Sequence, residues 1–152
     1  MQILDPVMNA ILIEFCSRFT PRGCVLWVDE GGEEVAYKLP DAWGSLGLPS
    51  SPRPELPNIV IYDEERHRLI LIDVARIRGQ MNSKRYAILK ERFQGCGLSL
   101  VIVNAFKDRR ELEDWLLDLP WQTAAWFAEE PDHMIHFNGG HFFEQETDHH
   151  MQ

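Results

Sequence analysis

Apolar residues return along the chain at two spacings, and the switches between them predict the elements. Val7, Met8, Ile11, Leu12, Phe15 and Phe19 recur at helical intervals behind an Asp5-Pro6 start, which predicts a helix over 5–19. Cys24–Val28 (CVLWV) reads as a buried strand, Gly31-Gly32 as a turn, 35–38 as a second strand and 40–48 as a short helix. The stretch 49–57, with SSPRPEL between its flanking prolines, has no apolar period and predicts an exposed connector. Two β-rich runs follow, 58–62 (NIVIY) and 69–74 (LILIDV), separated by the charged DEERHR, which predicts a hairpin. A turn centred between Glu65 and Arg66 sets Ile61 against Ile70, Ile59 against Ile72 and Asn58 against Asp73. Opposed residues have Cβ atoms about 4.5–5.5 Å apart, so Asn58 and Asp73 are expected within reach of one small ion or one water.

Asn82 or Ser83 caps a helix running to Gln94, with Tyr86, Leu89 and Phe93 inward and Gly95 and Gly97 ending it. The run 98–103 (LSLVIV) is nearly continuous, as in a central strand covered on both faces. Asp108 and Glu111 open a further helix with Leu112, Trp115, Leu116 and Leu119 inward, stopped by Pro120. Short strands are expected at 124–128 and 133–137. This order predicts an α/β fold in which helices flank a central mixed sheet, as a single domain over 1–143 with a polar C-terminal tail over 144–152.

The length of 152 residues suits one core, and 45% hydrophobic content suits a compact fold. Fifteen basic against twenty-four acidic residues leave a net charge of −9, which argues against a simple electrostatic binder of nucleic acid or of an anionic membrane. Any polyanion contact is then local or metal-assisted. No apolar run approaches the roughly 18 residues of a membrane span, and MQILDP lacks the features of a signal peptide, so a cytoplasmic protein without membrane contact is expected. Cys16, Cys24 and Cys96 form no C-x-x-C pair and read as reduced thiols.

Carboxylates on neighbouring strands are what a metal-dependent phosphodiesterase needs, because Mg²⁺ takes hard oxygen ligands and lowers the pKa of a bound water. Asp73 can supply one ligand, and Glu14, at the border of the first helix's apolar stripe, can aim a second at the sheet. Residue 75 is expected on the same face as Asp73, where a lysine would be useful, and it is Ala75. Plainer readings stand beside these: Asn58 bonding a local turn, and Glu14 pairing with Arg18 at i,i+4. Lys84 and Arg85 at a helix start suit an anionic partner or solvated surface, and Arg76 and Arg78, alternating on the strand exit, suit phosphates or a solvated edge. His133 and His136 point to opposite faces of a strand, which disfavours a zinc site with Glu129 and Asp132. His149 and His150 sit in the tail.

ILIEFCSRF at 11–19, LPNIVIYDEERHRLILID at 56–73, SKR at 83–85 and AEEPDHMIHFNG at 128–139 together resemble the nuclease domain of the BsuBI/PstI type II restriction endonucleases. The resemblance implies a PD-(D/E)XK-like fold, Mg²⁺ dependence and hydrolysis of double-stranded DNA in restriction or phage defence. It puts the family's first metal-binding aspartate on Asn58 and its second carboxylate, a glutamate, on Asp73. It matches Glu14 to a family glutamate and makes Lys84, in a shared Lys-Arg pair, the candidate catalytic cation. The expected site is therefore Asp73, Lys84 and Asn58 for catalysis, Asp73, Asn58 and Glu14 for Mg²⁺, and Arg76, Arg78, Lys84 and Arg85 for DNA. The expected assembly is a homodimer or a pairing with a separate specificity subunit. The alternatives are a catalytically inactive nuclease-fold module that binds DNA or protein in a multi-component defence system, and an immunity-type partner without a nucleic-acid role.

Overall fold

The computed structural model describes residues 4–138, so the 144–152 tail with His149 and His150 lies outside the described residues. The Asp5 carboxylate accepts the Val7 amide proton and Pro6 opens α1 (Pro6–Ala10). The helical run passes through a π turn (Ile11–Phe15) into α2 (Cys16–Phe19), burying Ile11 and Phe15 against the sheet and leaving Ile13 exposed.

Seven strands form the mixed sheet: β1 (Cys24–Val28), β2 (Tyr37–Lys38), β3 (Ile59–Asp63), β4 (Arg68–Val74), β5 (Ser99–Phe106), β6 (Thr123–Phe127) and β7 (Met134–Phe137). Their spatial order is β2-β1-β3-β4-β5-β6-β7. β4, β5 and β6 run parallel at the centre, and the outer pairs are antiparallel. The β3–β4 hairpin has the expected register, with Ile59 facing Ile72 and Ile61 facing Ile70. Because side chains alternate, Ile59, Ile61, Ile70 and Ile72 join Val7, Met8, Phe15 and Trp126 in one core layer. Val60, Leu69 and Leu71 pack on the other face with Trp27, Trp43, Leu89 and Phe93. Burial on both faces fixes the register, since a one-residue slip would exchange the two layers.

The second layer is completed by α3 (Pro40–Ser45) and by α5 (Ser83–Phe93), whose cap Asn82 accepts the Arg85 amide proton. α6 (Arg109–Glu113) starts at Asp108, whose carboxylate accepts the Glu111 amide proton.

Four local expectations are corrected. The stretch 49–57 is an exposed connector only in part: Ser50, Pro52 and Pro54 are exposed, but Leu56 and Pro57 are buried, and the Trp27 indole donates to the Pro57 carbonyl at 3.0 Å. Prolines erase the apolar period, but the loop's carbonyls are satisfied by side chains from elsewhere, which lets it pack. Residues 75–78 are not a strand exit. β4 ends at Val74 and α4 (Ala75–Arg78) follows at once, closed by Gly79 at φ 64°. Ala75 therefore packs with Met81, Phe106 and Leu112 instead of sharing a strand face with Asp73. Leu116 points to solvent because α6 stops at Glu113 and the following turns change its phase. The second strand is only Tyr37–Lys38.

Candidate functional site at the end of the central hairpin

The site lies where β4 gives way to α4, beside the residue that precedes β3. Asn58 is fully buried there, one residue before the Ile59–Ile72 pair that opens the hairpin register. Its amide nitrogen donates to the Asp29 carbonyl at 2.7 Å, and its side-chain oxygen accepts from the Val74 amide at 2.8 Å. The Asp29 amide in turn donates to the Asn58 carbonyl at 2.7 Å. One side chain thus joins the ends of β1, β3 and β4, and it must donate on one side and accept on the other. Asparagine does both, whereas an ionised aspartate only accepts.

Asp73 is buried beside it, held by a fork from α5: Arg85 donates to Oδ2 from Nε at 2.7 Å and to Oδ1 from a terminal nitrogen at 3.1 Å. The same guanidinium donates to the Pro54 carbonyl and, at 2.9 Å, to the Leu56 carbonyl. Arg78 also donates to Leu56, at 2.8 Å, and its Nε lies 3.9 Å from Asp73 Oδ1 without a hydrogen-bond partner. Burial pushes the Arg78 guanidinium below the ordinary arginine value; Asp73 opposes this and Arg85 reinforces it. A second fork stands next to the first, with Arg53 donating to both oxygens of buried Asp29 at 3.0 and 2.6 Å. Burial pushes Asp29 up, but the Arg53 fork and the Gly31 amide outweigh it and hold the carboxyl below the usual aspartate range.

The other expected residues lie outside this cluster. Glu14, in the π turn, pairs with Arg18, which also bonds Asp132. Lys84 is exposed on α5, and its neighbour Arg85 is the side chain that reaches Asp73. Arg76 is partly exposed and pairs with Asp5 at 3.3 Å. Asn58, Asp73, Arg78 and Arg85 are brought together; Glu14, Lys84 and Arg76 are not part of that contact network. Asp29 and Arg53 were not anticipated. For Arg85 a signal was present, because residues 85, 89 and 93 recur at i,i+4 and place Arg85 on the same helical stripe as the inward Leu89 and Phe93.

The Mg²⁺ that the resemblance implies does not fit these donors. Both Asp73 oxygens accept from Arg85, both Asp29 oxygens accept from Arg53, both ends of the Asn58 amide bond backbone groups, and two guanidinium groups face Asp73. Like unit charges about 4 Å apart repel by about 4 kcal/mol at an effective dielectric of 20, and a dication doubles the term. Among the described residues, no group of three or more His, Cys, Asp or Glu side chains is placed to hold a metal ion.

The chain has relatives of known class. A family model for the BsuBI/PstI restriction endonuclease domain matches residues 5–140. The type II restriction enzyme BsuBI of Bacillus subtilis is 32% identical over 136 residues, which cover 90% of this chain and 43% of BsuBI. The type II restriction enzyme AplI of Arthrospira platensis is 37% identical over 86 residues, covering 57% of this chain and 26% of AplI. The structure of the SdaI restriction endonuclease matches with a TM-score of 0.80 and 33% identity, over 90% of this chain and 43% of that one. The chain thus spans less than half the length of these relatives. It belongs to the BsuBI/PstI restriction endonuclease domain family.

Proposed function

We propose that this domain works at double-stranded DNA in a restriction or phage-defence system as a non-cleaving module, with a homodimeric mate or a separate specificity subunit supplying target choice. One observation carries this reading: the two buried carboxylates at the hairpin end, Asp73 and Asp29, are each tied into an arginine fork, and the asparagine beside them has its amide bonded to backbone on both sides. A chain of net charge −9 must meet phosphates locally. Lys84 and Arg76, the more exposed cations among those expected to meet DNA, suit that contact better than half-buried Arg78 and buried Arg85.

The test is incubation of the purified chain with pooled phage and plasmid DNA in Mg²⁺ and then Mn²⁺, with duplex retention measured at low salt. Expected are uncut DNA and weak retention that falls with salt and weakens further in Lys84→Glu and Arg76→Glu. Loss of all retention, with both variants unchanged, would refute a DNA role. The second reading, Mg²⁺-dependent hydrolysis of DNA, is favoured by the closeness of Asn58 to the end of β4, where its side chain bonds the amide of Val74, the residue after Asp73. It requires cutting by the parent that Asp73→Asn abolishes. Asparagine is the right replacement because it keeps an acceptor for Arg85.

A further inference from the structure

We infer that the Arg85 guanidinium is the resident cation of this site, taking the place and the cross-linking role of a divalent metal. The oxygens around it come from one carboxylate and two backbone carbonyls, the donor types of a hard-metal shell: both oxygens of Asp73, and the carbonyls of Pro54 and Leu56. They belong to two segments far apart in sequence, and Arg85 comes from a third, so its positive charge ties the 52–57 loop, β4 and α5 at one point. Arg85 is itself among the buried residues.

Two neighbours complete the substitution. Arg78 bonds the same Leu56 carbonyl and leaves its Nε unpartnered beside Asp73, so Asp73 answers two cations and the local charge is positive before any ion arrives. Asn58 closes the position opposite, and its amide orientation is dictated by the Asp29 carbonyl and the Val74 amide. An aspartate in its place would set an oxygen against the Asp29 carbonyl. Asn58 and Arg85 therefore act as one device, the first removing a ligand charge and the second supplying a fixed counter-charge. In this device Arg85 is a positioning residue, since it acts through the loop and strand it joins.

The inference rests on the reading of a non-cleaving module, and metal binding separates the two. Bound Mn²⁺ is counted from the free-ion paramagnetic resonance signal for the parent, Asp73→Asn, Arg85→Gln and the double variant Asn58→Asp/Arg85→Gln, and each is melted in EDTA and in Mn²⁺. The parent and Asp73→Asn are expected to give the same isotherm, so that ions scavenged elsewhere cancel. Arg85→Gln is expected to melt roughly 10 °C lower and to become protease-sensitive within 49–57. The double variant is expected to gain a bound Mn²⁺ and a melting point that rises with the ion. An Asp73-dependent Mn²⁺ in the parent overturns the inference even if the parent never cuts DNA. So does a folded double variant that gains no ion, or an Arg85→Gln chain as stable and protease-resistant as the parent. If the double variant does not fold, the parent and Asp73→Asn isotherms decide. Absence of DNA retention would sink the module reading and leave the Mn²⁺ result intact.

Discussion

Asn58 is occupied from both sides, so replacing it is a structural event before it is a catalytic one. Asn58→Asp is expected to lose about 1–3 kcal/mol in urea unfolding, because the donation to the Asp29 carbonyl goes and two oxygens are opposed. Asp73→Ala strands two buried guanidinium groups and is expected to cost about 3–5 kcal/mol, whereas Asp73→Asn costs less; their unfolding midpoints check the order. Asp29 titrates in the opposite sense to a group destabilised by its surroundings. Its folded pKa lies below the ordinary value of about 4, so its contribution is complete above that value and disappears as pH falls through the folded one. Asp29→Asn should therefore be less stable than the parent at neutral pH, and the gap should close below about pH 4. Melting curves across that window measure it. The neighbourhood of Asp73 was legible at this scale, since the register that pairs Ile59 with Ile72 leads Asn58 to the end of β4, where it bonds the Val74 amide. The arginine partners were not, because an arginine's reach from another element carries no periodic mark.

Elements were more legible than contacts. The central hairpin follows from apolar runs either side of DEERHR, and Asn82 and Asp108 each cap the helix their sequence announces. The misread segments are those held by tertiary bonds. The 49–57 stretch has no periodicity yet packs through its carbonyls, and α4 begins where a strand pattern would have continued. The i,i+4 stripe of Arg85, Leu89 and Phe93 also shows that α5 carries the fork on its packed face. Phe93→Ala is expected to destabilise by about 3–5 kcal/mol, since it empties a fully buried ring site against Trp43. If α5 positions Arg85, this variant should also raise protease cleavage within 49–57, a readout separate from the unfolding midpoint.

For the whole molecule, the mixed sheet between helical layers was readable from element order, and SdaI shares that architecture. What the order of elements did not convey is charge placement: a net charge of −9 coexists with a buried cluster in which Arg53, Arg78 and Arg85 answer Asp29 and Asp73. Exposed apolar side chains gather after α6, where Leu117 is 99% exposed. Leu117→Ser is expected to change stability by less than about 0.5 kcal/mol, checked by thermal melting, because the side chain has no packing to lose.

The fork from Arg85 also shapes what mutation can do with this fold over generations. Restoring a carboxylate at position 58 alone opposes it to a backbone oxygen, and removing Arg85 alone leaves Asp73 underpaired and the 52–57 loop untied. Each single step toward a metal-binding hairpin descends in stability before the second can repay it. Most proteins have only about 5–15 kcal/mol in reserve. Asn58 and the guanidinium together therefore behave as an evolutionary ratchet, so that lineages carrying both are expected to diversify their surfaces and partners more readily than to regain an ion at the hairpin.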